Sequence, residues 1–309
     1  MTASPIQLLL PPLRYWPTPL PQPILQALGQ ADHTKALDSD IHNLPASAAL
    51  SRLGEGDLDA DAVRAHQWLR AEPAWIRPDL TGARLYAVGA MLPLDVNDVA
   101  SFSADVQALL DDAGYQLDVV TPQRWYVRVP LDAKLPHFAT PAEALGADPF
   151  DHRPEGEGAR EWRVLDNEVQ ITLHQHGRNV KRQQAGLPPI NALWWWGDAA
   201  LPDTRDMSGL TIHSDDPLLR GWALAGNVPS SQLPTRWPHD ADGLYDLRGV
   251  ARDALLGDWL QPALDQVRQG TRMQWICEDG PTFTFARSQR WRVWRRPYPF
   301  PSKGGDVDQ

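Results

Sequence analysis

Prolines divide this chain into short segments, because 29 of its 309 residues are proline. Proline fixes φ and lacks an amide hydrogen, so it ends helices and occurs in sheets mainly at edges. A proline cluster at 11–23 follows the apolar run Ile6–Leu10, which we interpret as an edge strand. The sequence therefore predicts short elements joined by stiff, extended connections.

Between these breaks, helix and strand patterns alternate along the chain. Apolar residues recur at helical spacing in 96–113, and an alternating pattern at 124–129 predicts a strand. Helices are also expected at 62–70 and 159–176, and a buried strand at 192–196. Such alternation is typical of the α/β class, with mixed sheets flanked by helices.

Tryptophan is the second unusual component, with 14 residues. Three consecutive tryptophans in the strand 192–196 face opposite sides of a sheet, since side chains alternate along a strand. Core packing on both faces is the favoured interpretation, and a stacking surface for a base is the alternative. In the helix 159–176, Val164 and Ile171 lie opposite the main apolar stripe, which predicts a helix covered on both sides.

Composition sets broad limits on partners and location. The net charge of −10 opposes binding to phosphate backbones, so nucleic acid is a disfavoured partner. Cys277 is the single cysteine, which excludes an internal disulfide and a cysteine-based zinc site within one chain. No segment has the character of a signal peptide or membrane span, so we expect a cytoplasmic protein without membrane contact.

Histidine and aspartate occur in three short groups, none of which predicts a metal site. His174 and His176 are two residues apart on a predicted helix and therefore point about 200° apart. Asp216 precedes a proline, as at a helix start, and the group 239–243 is typical of a solvated turn. The sequence also lacks glycine-rich phosphate loops and nucleophile elbows. We therefore assign no metal, no cofactor and no catalytic residue.

The helix 159–176 and the loop after it are rich in groups that bind anions. Arginine grips carboxylate or phosphate, and asparagine both donates and accepts hydrogen bonds. Two arginines on one face of the strand 124–129 are expected to reach the same anion. The alternative is that these side chains cap the helix and brace the loop. The candidate anion-binding residues are Arg124, Arg128, Asn167, Asn179, Arg182 and Asn191.

The segment 287–296 contains five arginines interleaved with Trp291 and Trp294. One interpretation is a surface that binds a protein partner. The other is that the rings are buried beneath arginine side chains.

Several separate motifs occur in a fixed order between residues 65 and 230. They are WLRAEPAWIRPD at 68–79, RWYVRVP at 124–130, NEVQ with the H-x-H pair, NVKR, AGLPPINALWWWG and DDPLLRGWALAG. Together they resemble the RpfE-type regulatory proteins of proteobacteria. The resemblance implies a regulatory or binding protein without turnover, which senses a small phosphorylated or carboxylated metabolite.

The same helix–loop–strand region is distantly similar to archaeal-type, cofactor-independent phosphoglycerate mutases. This similarity implies an alkaline-phosphatase-superfamily-like remnant. The metal-binding and nucleophile motifs of the mutases have no counterpart in the sequence, so the remnant lacks the metal site and its two-metal mechanism. A residual mutase or phosphatase is the alternative, and an interaction module at 287–296 is a second alternative. The matching positions are Asn179, Arg182, Gly186, Pro189, Asn191 and Gly197, with Gly177 and Ile190 as departures.

These observations predict four consecutive segments, with the loop 198–209 as a seam. They are a proline-rich strand and helices (1–60), a phosphoglycerate-mutase-like α/β segment (61–200), a C-terminal α/β segment packed on it (201–300) and a disordered tail (301–309).

Overall fold

The computed structural model describes residues 5–34, 47–80, 82–197, 200–201, 211–278 and 280–300. Its contacts divide the chain into two compact units: unit 1 is Met1–Leu44 with Thr204–Gln309, and unit 2 is Pro45–Asp203. This division differs from the consecutive segments predicted from the sequence, because the N-terminal strand pairs with C-terminal strands. Most of the loop 198–209 and the whole tail 301–309 lie outside the described residues.

Both units combine strands with helices, which confirms the mixed α/β class. The strands are β1 (Ile6–Leu10), β2 (Asp32–Thr34), β3 (Gln67–Asp79), β4 (Gly82–Val88), β5 (Gln116–Thr121), β6 (Arg124–Val129), β7 (Ala192–Trp196), β8 (Ile212–His213), β9 (Ser230–Ser231), β10 (Leu244–Asp246), β11 (Met273–Cys277) and β12 (Thr282–Phe285). The helices are α1 (Gln22–Gln30), α2 (Ala48–Gly54), α3 (Ala60–Arg64), α4 (Val96–Asp112), α5 (Pro141–Ala144), α6 (Ala159–Gln175), α7 (Gly177–Gln184), α8 (Pro217–Ala225), α9 (Arg252–Ala254) and α10 (Gln261–Gln269).

Unit 1 is built on a sheet with the strand order β2-β12-β11-β1-β10-β8-β9. The five strands from β11 to β9 are parallel to one another. β12 pairs antiparallel with β11, and β2 pairs antiparallel with β12. The interpretation of Ile6–Leu10 as an edge strand is therefore wrong. Apart from Gln7 its sequence is apolar and buried, which suits a parallel strand covered on both faces, and the prolines begin only where its pairing ends.

Unit 2 is built on an antiparallel sheet with the order β4-β3-β6-β5, and β7 also pairs with β3. The helix expected at 62–70 is wrong in its second half, because α3 ends at Arg64 and β3 begins at Gln67. β3 has 13 residues and pairs with three other strands. Pairing with several strands outweighs the weak helical periodicity of a short segment.

Helices α4 and α6 cover one face of the unit 2 sheet. Trp195 joins this core with Trp162 and Trp125, whereas Trp194 packs in a separate apolar cluster with Ala74 and Leu85. Packing of the tryptophan strand on both faces is thereby confirmed.

α6 itself is buried on one side only. Its residues Leu165, Val169 and Leu173 are in the core, but Val164 is 54% exposed and Ile171 48% exposed. The prediction that α6 is covered on both sides is therefore wrong for the described residues. Among the helices in the described part of the chain, none combines the length and apolar character that a membrane crossing requires.

Candidate functional site

Unit 2 contains a cavity of about 620 Å³ beside α6. Its walls come from α6, from the loop before that helix and from β7, and we call it the pocket. It is lined by Ile76, Ala83, Phe138, Ala139, Pro149, Phe150, His152, Arg153, Pro154, Arg160, Arg163, Val164, Asp166, Asn167, Glu168, Gln170, Leu193, Trp194 and Trp195.

Three exposed arginines border the pocket: Arg153 from the loop, and Arg160 and Arg163 from the first turns of α6. Within the described ranges, none of these three guanidinium groups forms an ion pair or a hydrogen bond. Arg153 instead lies over the ring of Phe150, with its guanidinium carbon 4.1 Å from the ring centroid. The pocket therefore offers positive charge that the described residues do not neutralise by pairing.

Asp166 lies deeper in the pocket and is held by two donors. The Nε1 of Trp195 donates to its Oδ1 at 2.8 Å, and the Nε2 of Gln170 donates to its Oδ2 at 2.8 Å. Burial raises the pKa of Asp166 to about 6, against the opposing effects of these two hydrogen bonds and of the charge of Arg153. The carboxyl group therefore exchanges its proton close to neutral pH.

The rest of the lining is largely apolar and aromatic. Trp194 is 7% exposed, and its Nε1 donates to the carbonyl oxygen of Ala139 at 2.9 Å. At the rim, Phe150 is 60% exposed and Val164 is 54% exposed. An apolar wall beside unpaired arginines suits a ligand that is itself part apolar and part anionic.

Of the six residues proposed as anion-binding candidates, Asn167 lines the pocket. Asn179 and Arg182 lie elsewhere, buried in the helix–loop joint, by which we mean residues 176–191 and the groups they contact. The amide of Asn179 donates to the carbonyls of Leu173 and Ile190 and accepts from the amide of Ile190.

Arg182 is 2% exposed and is fully surrounded by the joint. Its Nε donates to the carbonyl of Pro188 and its Nη1 to the carbonyl of Pro93, both at 2.9 Å, and Nη1 also contacts the carboxylate of Asp98. These contacts support the bracing alternative for Asn179 and Arg182.

The remaining three candidates lie on strands or next to one. The side chain of Asn191 bonds the backbone N–H and C=O of Ile76 at 2.9 and 2.7 Å. Arg124 forms a two-bonded ion pair with Glu55, at 2.8 and 3.0 Å, and Arg128 is half-buried on the same face of β6. Within the described ranges, Arg124, Asn179 and Arg182 share no hydrogen-bond partner, and a single anion site formed by all six candidates stays a prediction.

A second polar cluster, missed in the sequence, lies where the parallel strands β8 and β10 of unit 1 end. The hydroxyl of Ser214 donates to Asp246 at 2.8 Å. Arg248 donates to Asp246 at 2.8 and 2.9 Å and to Asp216 at 3.2 Å. Asp216 also accepts from the amide of Leu218, which confirms its role as a helix cap. The signal in the sequence was two polar motifs: S-D-D-P, which directly follows β8, and Y-D-L-R, which spans the end of β10.

In the part of the chain that the structure describes, no set of side chains matches the ligands that the two divalent metals of the mutases require. There, no group of three or more His, Cys, Asp and Glu side chains is placed to hold a metal ion. At the strand ends of unit 1, the guanidinium of Arg248 is bonded to the two carboxylates of Asp216 and Asp246. These residues do not fit a divalent cation.

Comparison with known proteins gives a partial, distant similarity. No protein-family model matches the chain. Over 87 residues, the chain is 34% identical to a protein of Geobacter sulfurreducens described as a probable 2,3-bisphosphoglycerate-independent phosphoglycerate mutase. This stretch covers 26% of this chain and 22% of that relative, so the chain is similar to less than a quarter of the relative's length.

Two solved structures cover most of the chain at low identity. The cofactor-independent phosphoglycerate mutase from Thermoplasma acidophilum has 15% identity and a TM-score of 0.43, and covers 92% of this chain and 90% of its own. The PH0037 protein from Pyrococcus horikoshii has 10% identity and a TM-score of 0.47, with 93% and 88% covered.

Proposed function

We propose that the protein binds a small phosphorylated or carboxylated molecule in the pocket of unit 2 without converting it, as a cytoplasmic regulatory protein of RpfE type would. The observation that carries this proposal is the set of three unpaired arginines, Arg153, Arg160 and Arg163, beside a cavity of about 620 Å³. Arginine with no carboxylate partner is free to form paired, charge-assisted hydrogen bonds to an anion.

The absence of turnover is part of the proposal because the described residues offer no ligand set for two divalent metals. A residual mutase or phosphatase is supported only by the 87-residue similarity. An assay of phosphoglycerate conversion with Mn²⁺ or Mg²⁺ separates the two. A rate above that of buffer, lost on denaturing the protein, contradicts the non-catalytic proposal.

Binding is tested by calorimetry of the full chain with inorganic phosphate, 3-phosphoglycerate and citrate as probes. We expect at least one probe to bind, and the double variant Arg160→Ala/Arg163→Ala to bind it at least about tenfold more weakly, the loss of about 1.4 kcal/mol. The matched control is Arg287→Ala/Arg296→Ala, which removes two exposed arginines of unit 1. Equal affinities of both double variants, or no binding of any probe, contradict the proposal.

A second candidate function is protein binding through the segment 287–296. Trp291 is 67% exposed and Trp294 is 75% exposed, so the alternative of buried rings is wrong for these two side chains. Arg292 and Arg295 anchor the segment on Asp32 and on the carbonyls of Gln30 and Ala31. Exposed aromatic side chains beside arginines are enriched at protein interfaces.

This candidate function predicts that binding to a protein partner is lost when the rings of Trp291 and Trp294 are removed. Cross-linking in cells followed by mass spectrometry compares the wild type with Trp291→Ser/Trp294→Ser, and circular dichroism checks that the variant is folded. Recovery of the same cross-linked proteins by both chains contradicts a role of this segment in partner binding.

A further inference from the structure

Among the polar groups of α6 that line the pocket, the cationic ones come first along the helix, and the amides and carboxyl groups follow. Arg160 and Arg163 come first, and the uncharged amides of Asn167 and Gln170 follow on the same stripe, since residues three and four apart share a helix face. At 1.5 Å per residue, Asn167 and Gln170 lie about 6 and 10 Å farther along α6 than Arg163. The pocket therefore has a cationic end and an amide end.

The two carboxyl groups of the pocket reinforce this direction. Asp166 and Glu168 both line it, and both belong to the part of α6 that follows Arg163. A carboxylate repels an anion, so a phosphate is directed away from these residues and toward Arg160 and Arg163. The end of the ligand near Asn167 is therefore uncharged.

Between the two ends, the apolar wall requires a ligand with a ring. Phe150 and Val164 are exposed at the rim, and the buried side chains of Phe138 and Trp194 also line the pocket. A cavity of about 620 Å³ is in the size range of sites for drug-sized molecules, and a three-carbon phosphate leaves most of this wall in water. A flat ring covers the wall by stacking, which an acidic metabolite without a ring cannot do.

The polar groups at the amide end distinguish among ligands with an apolar part. Within the described part of the chain, the amide of Asn167 has no hydrogen-bond partner, whereas Gln170 bonds Asp166. A lipid chain offers Asn167 neither donor nor acceptor, but the edge of a purine or pyrimidine offers both. The sequence has no glycine-rich phosphate loop, so arginine side chains hold the phosphate.

We propose that the pocket binds a nucleoside monophosphate, with the phosphate at Arg160 and Arg163, the base on the aromatic wall, and the base edge at Asn167. This inference rests on the proposed function, because it names the chemical class of ligand for the same anion site. It extends the metabolite class expected from the sequence by adding a heteroaromatic ring.

The test is calorimetric titration of the full chain with AMP, GMP, CMP and UMP, and with ribose 5-phosphate as the ring-free probe. At least one nucleotide is expected to bind at least about tenfold more tightly than ribose 5-phosphate, which matches the contribution of one stacked base. Equal binding of ribose 5-phosphate and all four nucleotides overturns the nucleotide class and leaves the anion pocket intact. Failure of all five probes and of the anions above overturns both proposals.

Two variants sharpen the result. Phe150→Ala is expected to weaken the best nucleotide at least about fivefold more than it weakens ribose 5-phosphate, because both ligands lose the ring that supports Arg153 but only the nucleotide loses a stacking surface. Leu131→Ala is the matched control, since Leu131 is an apolar residue of unit 2 that is 63% exposed and does not line the pocket. An equal loss for nucleotide and ribose 5-phosphate in Phe150→Ala contradicts stacking of a base on this wall.

Discussion

The helix–loop joint and the pocket are two arginine-rich regions of unit 2, and they use arginine in opposite ways. In the joint, Arg178 and Arg182 both bond the buried carboxylate of Asp98, and Arg182 is itself 2% exposed. In the pocket, Arg160 and Arg163 are exposed and have no partner among the described residues. The comparison teaches that the number of arginines does not by itself locate an anion site, because arginines that are already paired with carboxylates and arginines that are not occur in the same unit.

Asp98 shows how the two arginines of the joint hold a buried carboxylate in its charged form. Burial raises the pKa of this carboxyl group, but the hydrogen bond from Arg178 and the charge of Arg182 outweigh burial and hold the pKa below its usual range. Asp98 therefore remains an anion over the whole physiological range. Both arginines at Asp98 are already bonded to carboxylates, so an added phosphate would have to displace these bonds.

The largest effect is expected from Arg182→Ala. The substitution leaves Asp98 buried with one arginine and leaves the carbonyls of Pro93 and Pro188 without their donor. Loss of one partner of a buried ion pair lowers the free energy of unfolding by about 3 kcal/mol or more. Urea denaturation followed by circular dichroism measures it. A loss below about 1 kcal/mol contradicts a bracing role for Arg182.

The sequence could predict some features of the joint and the pocket but not the pairing of their arginines. The class, the helix 159–176 and the strand 192–196 depend on local periodicity, and they were predictable. Which arginines are paired was not, because Asp98 lies 84 residues before Arg182 and only the fold brings them together. The pocket arginines were obscured by neighbouring glutamates in R-P-E-G-E-G-A-R-E-W-R, a segment that reads as a solvated mixed-charge surface.

The second largest loss of stability is expected in unit 1, at Arg248. Arg248 is 25% exposed and neutralises Asp246, whose side chain is 5% exposed. Arg248→Ala removes three hydrogen bonds to the carboxylates of Asp246 and Asp216, and we expect a loss of about 2 kcal/mol, less than at Arg182 because solvent reaches the guanidinium. Urea denaturation of Arg248→Ala and Arg248→Lys measures the loss. Wild-type stability of the alanine variant contradicts the paired state of Arg248.

The third effect concerns the pH dependence of the pocket. Asp166 has its pKa raised from the usual 3.8 to about 6, so the folded chain holds this proton more tightly than the unfolded chain. Its stabilising contribution is complete below about pH 4 and is lost as the pH rises through about 6. Asp166→Asn keeps an uncharged side chain at all pH values, and Gln170 can turn its amide to accept.

We therefore expect Asp166→Asn to match the wild type at pH 4 and to be more stable by about 1–2 kcal/mol at pH 8, a value reduced for the partial exposure of the group. Thermal unfolding from pH 4 to pH 8 provides the measurement. A variant that is less stable than the wild type at pH 8 contradicts burial as the cause of the raised pKa.

The smallest effect on stability is expected at the unpaired arginines. Arg163→Ala removes an exposed charge without described partners, so the free energy of unfolding should change by no more than about 0.5 kcal/mol. The same variant should lose part of the stabilisation that a bound anion gives the wild type, and less than the double variant Arg160→Ala/Arg163→Ala. Thermal unfolding with and without the best-binding probe measures both quantities. A destabilisation above about 1 kcal/mol without ligand contradicts this prediction and indicates that Arg163 is structural, as Arg178 and Arg182 are in the joint.

The position of β1 has a consequence for how the chain is made on the ribosome. β1 is complete at residue 10, but its neighbours β10 and β11 begin at Leu244 and Met273, whereas unit 2 is one continuous stretch. At ~5–20 residues per second, roughly 13–50 seconds of translation separate β1 from β11. During that interval Ile6–Leu10 is an apolar strand with two open edges, and unit 2 has all of its own partners. The nascent segment Ile6–Leu10 is therefore a natural substrate for chaperones until the last strands of unit 1 emerge.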